Sequence, residues 1–237
     1  MVDQRLLKIL DIDGIVIIPS VLPLDQVAIL RTELELAIAE DNITHTDIFD
    51  KGMVHNCMVR GKNMACLLDN EILIAYLDAA FSSTCILYAY QSSSLMPGKG
   101  NYGSRVHVDS PRFIPGYATN MGVIFPLDDF TKENGATFFL KKSHKNAELP
   151  SDSVFSANAS RAYCSAGDMI LFSGRLVHAA GENTTGRARH SLTINVCRSY
   201  MRQRFDFPRL MSVDAVNNLG PKGKRLIGMN VRVPTSL

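Results

Sequence analysis

The 237-residue chain is short of several things that would have named its class at once. Cysteine is sparse and uneven: Cys57, Cys66, Cys85, Cys164 and Cys197 make an odd set, and no two stand as a Cys-x-x-Cys pair. That excludes a disulfide framework or a structural zinc site and favours a reducing compartment. Net charge is nearly absent, with 25 basic against 23 acidic residues, so no strong field draws the chain to nucleic acid or an anionic membrane. Long apolar runs are missing too, and charges interrupt every apolar stretch of the opening MVDQRLLKILDIDG, so neither a membrane span nor a secretory leader is expected. A cytoplasmic protein whose partner is a small molecule remains.

What is present has ordinary globular composition, 46% hydrophobic and 20% charged, in a length that suits one well-packed domain over 1–237. Gly14 to Ile18 reads as a short buried strand closed by Pro19. Leu24 to Glu40 places Val27, Leu30, Leu34 and Ile38 at helical spacing. Residues 41–63 read as a long polar loop, and Asp69 starts a second helix with Ile72, Tyr76 and Ala80 on one face. Beyond Thr84 the texture changes. Segments rich in Val, Ile, Phe, Tyr and Thr alternate with turn residues, giving candidate strands at 84–92, 104–109, 117–127, 136–140, 168–173, 175–179 and 187–198. Asn134-Gly135 reads as a hairpin turn. Helices and loops over 1–83, a strand-rich 84–200 and a C-terminal segment 201–237 suggest a mainly β fold, a double-sheeted core under an N-terminal helical layer.

Gly98 to Gly103 matches G-x-G-x-x-G, but a strand pattern follows it where nucleotide binding requires a helix, so it reads as a flexible loop. His-x-acid triplets arise about 0.6 times by chance in such a composition, and the chain holds two. His45-Thr46-Asp47 sits in the polar loop and reads as solvated. His107-Val108-Asp109 closes a strand pattern, whose period of two turns His107 and Asp109 to one side. His178, ending the 175–179 strand, is the histidine placed to meet them. Two imidazoles and one carboxylate leave coordination positions open, an arrangement suited to non-haem Fe(II) handling O2. A hydrogen-bonded core histidine is the plainer alternative for His178.

Strand 187–198 puts Arg189, Ser191, Thr193, Asn195 and Cys197 on one face and His190, Leu192, Ile194 and Val196 on the other. A polar face headed by arginine must look into a cavity, because burying a guanidinium without a partner is costly. Its fork fits a carboxylate through two parallel hydrogen bonds. That partner is either an internal Asp or Glu or one end of a dicarboxylate cosubstrate.

Taken in order, Asp13-Gly14 with Ile15 to Ile18, His107-Val108-Asp109, Pro126 to Ala136, Ser143-His144-Lys145, His178 to Asn183 and Arg189 resemble the phytanoyl-CoA dioxygenase family over roughly 11–200. The resemblance implies a double-stranded β-helix, or jelly roll, that uses Fe(II), 2-oxoglutarate and O2. It also implies His107, Asp109 and His178 as iron ligands and Arg189 as partner of the cosubstrate's far carboxylate. Ser191 would add a hydroxyl contact and Ser94 another. Ala180 stands where relatives carry a small hydroxyl residue, and Phe125 where many carry Trp, so the cosubstrate pocket wall is expected to differ. Halogenating members lack the carboxylate at the Asp109 position, so hydroxylation-type chemistry is expected, with desaturation or ring closure open. His144 is expected to be structural and His190 to be packed in the wall. Lys51, Arg60, Lys62, Lys99, Arg105 and Arg112 would form a basic rim at the barrel mouth. The rival readings are a cupin-like metal enzyme without 2-oxoglutarate and a metal-free jelly-roll binding module.

Overall fold

The computed structural model describes residues 2–44, 52–98 and 102–231. Helix α1 (Gln4–Asp13) begins at Asp3, whose carboxylate accepts the Arg5 backbone N–H at 2.8 Å, and stops at Gly14. Strand β1 (Ile15–Ile18) follows directly. Helix α2 (Leu24–Thr44) buries Val27, Leu30, Leu34 and Ile38, the apolar stripe its spacing predicts.

The segment expected as a long loop is irregular at 52–56 and 60–61 but helical at both ends and in one turn between them. Helix α2 runs on to Thr44, a 3-10 turn covers Cys57–Val59, and α3 spans Lys62–Cys66. Side chains of α2 organise it: Glu33 accepts the Asn63 and Met64 backbone N–H groups, and Arg60 pairs with Glu40 and Asp41. These long-range caps leave no periodic signal in the segment itself. His45-Thr46-Asp47 and Lys51 lie outside the described residues.

Helix α4 (Glu71–Ala80) starts after Asn70, whose side chain accepts the Leu73 N–H at 2.9 Å. It buries Leu73, Ile74, Tyr76 and Leu77, while Ile72 is exposed, so the inward face is offset from the one expected. Asp69 is engaged elsewhere: its carboxylate accepts the N–H groups of Gly220 and Gly223 at the start of a C-terminal helix.

Next come β2 (Ile86–Ser92), β3 (Asn120–Pro126), β4 (Phe138–Phe139), α5 (Asp152–Asn158), β5 (Ser160–Arg161), β6 (Met169–Ser173), β7 (His178–Ala179) and β8 (Ser191–Cys197). A five-stranded antiparallel sheet runs β1-β6-β3-β8-β2, and a three-stranded one runs β5-β4-β7. Alternation divides the larger sheet's side chains. Val16, Val123, Leu171, Ile194 and Val196 pack into one core with α2 and α4, and Ile15, Ile124, Ile170 and Phe172 pack against Phe130 and Phe139 between the sheets. Three short helices follow, α6 (Phe207–Leu210), α7 (Val213–Asn217) and α8 (Pro221–Leu226); Phe207 of α6, Leu226 of α8 and Leu219 between α7 and α8 pack into the same core. The result is a mainly β jelly roll with flanking helices. Among the described residues no helix is long and apolar enough to cross a membrane.

Two strand-level expectations fail. Residues 104–109 form no strand, only a 3-10 turn at Tyr102–Ser104 and a single bridge from His107 to His178. Asn134-Gly135 is not a hairpin between paired strands. The Asn134 side chain accepts the Thr131 N–H at 2.9 Å and donates to the Asp129 carbonyl, and the chain crosses from β3 to β4 in the other sheet.

Candidate active site

One bridge organises the site. His107 and His178 exchange backbone hydrogen bonds, N–H to carbonyl, both at 3.0 Å, which brings a loop residue against the first residue of β7. Their rings lie 4.2 Å apart between centroids. Asp109, two residues along the loop, holds its Oδ1 3.8 Å from the Nε2 of both rings. The ring Nδ1 atoms face backbone carbonyls, His107 to Arg105 at 2.7 Å and His178 to Leu176 at 2.9 Å. A carbonyl only accepts, so each Nδ1 carries a proton and Nε2 is the ring nitrogen that faces Asp109. Burial among Phe139 and Phe172 pushes the His178 pKa down, with Asp109 opposing and His107 reinforcing the shift. Among the described residues, these three are the group of His, Cys, Asp or Glu able to share a metal ion, their donor atoms all within 4.8 Å. Two imidazoles and a carboxylate, open on the cavity side, suit a divalent first-row metal.

The second Asp109 oxygen is held apart. Oδ2 accepts from Asn195 Nδ2 at 3.2 Å, and Asn195 Oδ1 accepts from Asn120 Nδ2 at 3.1 Å. Asn195 turns the carboxylate so that a single oxygen faces the imidazoles. The period of β8 places Asn195 on the cavity face, but nothing local shows that its amide meets Asp109.

Arg189 lies just before β8 and is only 2% exposed. Its Nη1 donates to the Gly135 carbonyl at 2.9 Å, and its guanidinium lies 4.1 Å over the Phe130 ring. Its Nε is buried without a hydrogen-bond partner, and among the described residues no carboxylate pairs with it. The internal Arg–Asp/Glu pair is therefore not the arrangement found. Burial brings the guanidinium down to about 10, still cationic at neutral pH. Gly135 is needed where it stands. Its φ is +82°, and a Cβ there would come within 2.7 Å of the Gly181 carbonyl oxygen.

Arg189 and Ser191 share one cavity of about 340 Å³ with His107, Asp109 and His178. Ser191 donates its hydroxyl to the Ser93 carbonyl at 2.9 Å. Ser94 is not in this cavity: its Oγ lies 2.8 Å from His190 Nδ1, and Ser93 lines the cavity instead. In extended backbone, neighbouring residues face opposite ways, so a one-residue offset moves a side chain to the other face. Phe125 is likewise not a pocket wall, since it packs in the core beneath the helices, whereas Ala180 does line the cavity. His190 is buried in the wall, and His144 sits in a 3-10 turn with its Nε2 3.3 Å from the Asp11 carbonyl, both as expected. Among the described residues, none of the cations expected as a basic rim lines the cavity. Arg60 is tied to α2, while Lys62, Arg105 and Arg112 are absent from the lining; Lys99 lies outside the described residues.

The model of the phytanoyl-CoA dioxygenase (PhyH) family matches residues 10–191, most of the chain. The chain belongs to this family. Among its relatives, an uncharacterized protein of Mycobacterium tuberculosis is 30% identical over 78% of this chain and 70% of its own length. The dioxygenase ALT11 of Alternaria alternata is 29% identical over 94% of this chain and 80% of its own. Among solved structures, the non-haem α-ketoglutarate-dependent epimerase SnoN from nogalamycin biosynthesis superposes with a TM-score of 0.69 at 21% identity, covering 83% of this chain and 82% of that one. In this PhyH chain the two-sheet core carries the cavity, with β7 supplying His178 and β8 supplying Ser191, Thr193 and Asn195 to its lining.

Proposed function

We propose that this chain is an Fe(II)- and 2-oxoglutarate-dependent dioxygenase that oxidises a small molecule. The observation that carries the reading is one cavity holding a two-histidine, one-carboxylate cluster and a buried arginine with no carboxylate of its own among the described residues. His107, Asp109 and His178 would hold the iron. Arg189 would receive the far carboxylate of 2-oxoglutarate, with Ser191 on the same face. Iron(II) and 2-oxoglutarate together supply the activation of O2, with release of succinate and CO2.

The chain's own residues set the conditions for that chemistry. Asn195 keeps Asp109 to a single facing oxygen, and the Arg105 and Leu176 carbonyls hold both imidazoles in the ligating tautomer. Phe130, Phe139 and Phe172 dry the walls around Arg189 and His178. Asp109 occupies the position a halide would need, so oxygen insertion is favoured over halogenation. A cavity near 340 Å³, at the small end of ligand sites and shared with a cosubstrate, fits a small substrate.

Calorimetric titration tests the assignment. Wild type should take up one Mn(II) per chain, and Asp109→Ala should lose affinity by more than about 100-fold, since a direct ligand matters more than an outer partner. Arg189→Ala should bind the metal normally and 2-oxoglutarate at least roughly tenfold more weakly. Normal 2-oxoglutarate binding in Arg189→Ala would favour the cupin-like reading.

A further inference from the structure

Among the described residues, Arg204 is the cation that lines the cavity besides Arg189, and it comes from the segment after β8 that the sequence left without a role. Two hydrogen bonds hold that segment on β2: the Arg204 N–H donates to the Tyr88 carbonyl at 3.1 Å, and Gln203 Nε2 donates to the Leu87 carbonyl at 2.8 Å. Both acceptors lie at an irregularity in the sheet. Leu87 pairs with Val196 and Ala89 with Asn195, so Tyr88 is an extra residue bulged out of the ladder. Bulges redirect side chains next to binding sites, and here the neighbours Tyr88 and Ala89 both reach the cavity. The bulge thus seats Arg204 and Tyr88 together on one wall.

Arg204 is exposed, and its guanidinium carbon lies 6.0 Å from the Phe205 ring centroid. Among the described residues no carboxylate lies within ion-pair distance of it, and Asp109 is the sole carboxylate of the cavity lining. The charges then decide what Arg204 faces. On the reading proposed above, the two positive charges of iron and the one of Arg189 are matched by Asp109 and the two carboxylates of 2-oxoglutarate. The loaded centre is neutral, and among the described residues Arg204 is left over. A cation at the mouth of a partly dry cavity gains most from a charge-assisted, forked hydrogen bond to an anion. We infer that the substrate carries a carboxylate, and that Arg204, with Tyr88 beside it, is the residue that selects it. This deepens the proposed function and rests on it.

The test uses the full-length protein loaded with Mn(II) and 2-oxoglutarate without oxygen, so that binding is read without turnover. Butyrate, 3-phenylpropionate and cinnamate are each titrated beside the matching carboxamide, in wild type, Arg204→Gln and Arg204→Lys. The wild type should bind at least one acid roughly tenfold or more tightly than its amide. Arg204→Gln should bring the pair to within about twofold, and Arg204→Lys should keep part of the preference. The affinity for 2-oxoglutarate should stay the same in all three proteins. Equal binding of acid and amide by wild type would overturn the inference. So would an acid preference that survives in Arg204→Gln, or no acid bound by a protein that takes up 2-oxoglutarate normally. A wild type that fails to bind 2-oxoglutarate overturns the reading beneath the charge balance, and the inference with it.

Discussion

Asp109 presents one oxygen to two imidazoles and gives the other to Asn195, and that division of labour is the most exposed point of the site. Removing the amide should leave the fold intact and loosen the metal: Asn195→Ala should lower Mn(II) affinity by about 10- to 100-fold, as outer partners of metal ligands do. An unchanged affinity by calorimetry would show that the Asn195 contact does not orient the ligand. His190 offers a test on the other side of the wall. Burial depresses its pKa below the usual 6.5, with Glu35 and Asp128 opposing. The unfolded chain therefore takes up a proton that the folded one refuses, and stability should fall as pH drops below about 6.5. In His190→Gln the fall in melting temperature between neutral and mildly acidic pH should be smaller, and an identical pH profile would contradict this. Much at this scale was legible beforehand. The polar face of 187–198 pointed to Arg189 and Ser191 because a strand's period is rigid. Ser94 was expected from the family resemblance and not from a strand's period, and its hydroxyl faces His190 while Ser93 lines the cavity.

Whole elements were legible where periodicity was long. Helix α2 carries a stripe over several turns, so Leu30 and Leu34 are fully buried as its spacing predicts. Leu34→Ala should cost about 2–5 kcal/mol in denaturant unfolding, and a cost near zero would mean that the helical layer is not part of the core. The two-residue strands β4, β5 and β7 are too short to carry a pattern, and β5 went unseen. Helix α1 was hidden by its mixed charges, although Asp3 and Gly14 stood at its ends as cap signals. Segment 104–109 has strand-like residues but makes a single bridge, His107 to His178. Gly122 in β3 makes a sharper element-level test. A Cβ there would overlap the Phe172 ring, which edges His178 at 5.1 Å. Gly122→Ala should therefore cost about 1–3 kcal/mol by overpacking and weaken metal binding in the same protein. Loss of stability with unchanged metal affinity would separate Phe172 from the site.

At the scale of the molecule, the helices cover one face of the larger sheet, and the cavity opens between the sheets. The family was readable because its short motifs fall in order along the chain, each weak by itself. The substrate side was not, because Arg204 acts from an irregular segment placed by a bulge, and a bulge leaves no periodic trace. On the function proposed above, His107, Asp109 and His178 form with Arg189 one iron and 2-oxoglutarate centre. Anaerobic titration with Fe(II) and then 2-oxoglutarate tests it most directly, because the chelate absorbs visible light through a charge-transfer band. Wild type should show a band, Arg189→Ala a much weaker one at equal 2-oxoglutarate, and Asp109→Ala none. Iron that binds without a band, or a band that forms undiminished in Arg189→Ala, would contradict it.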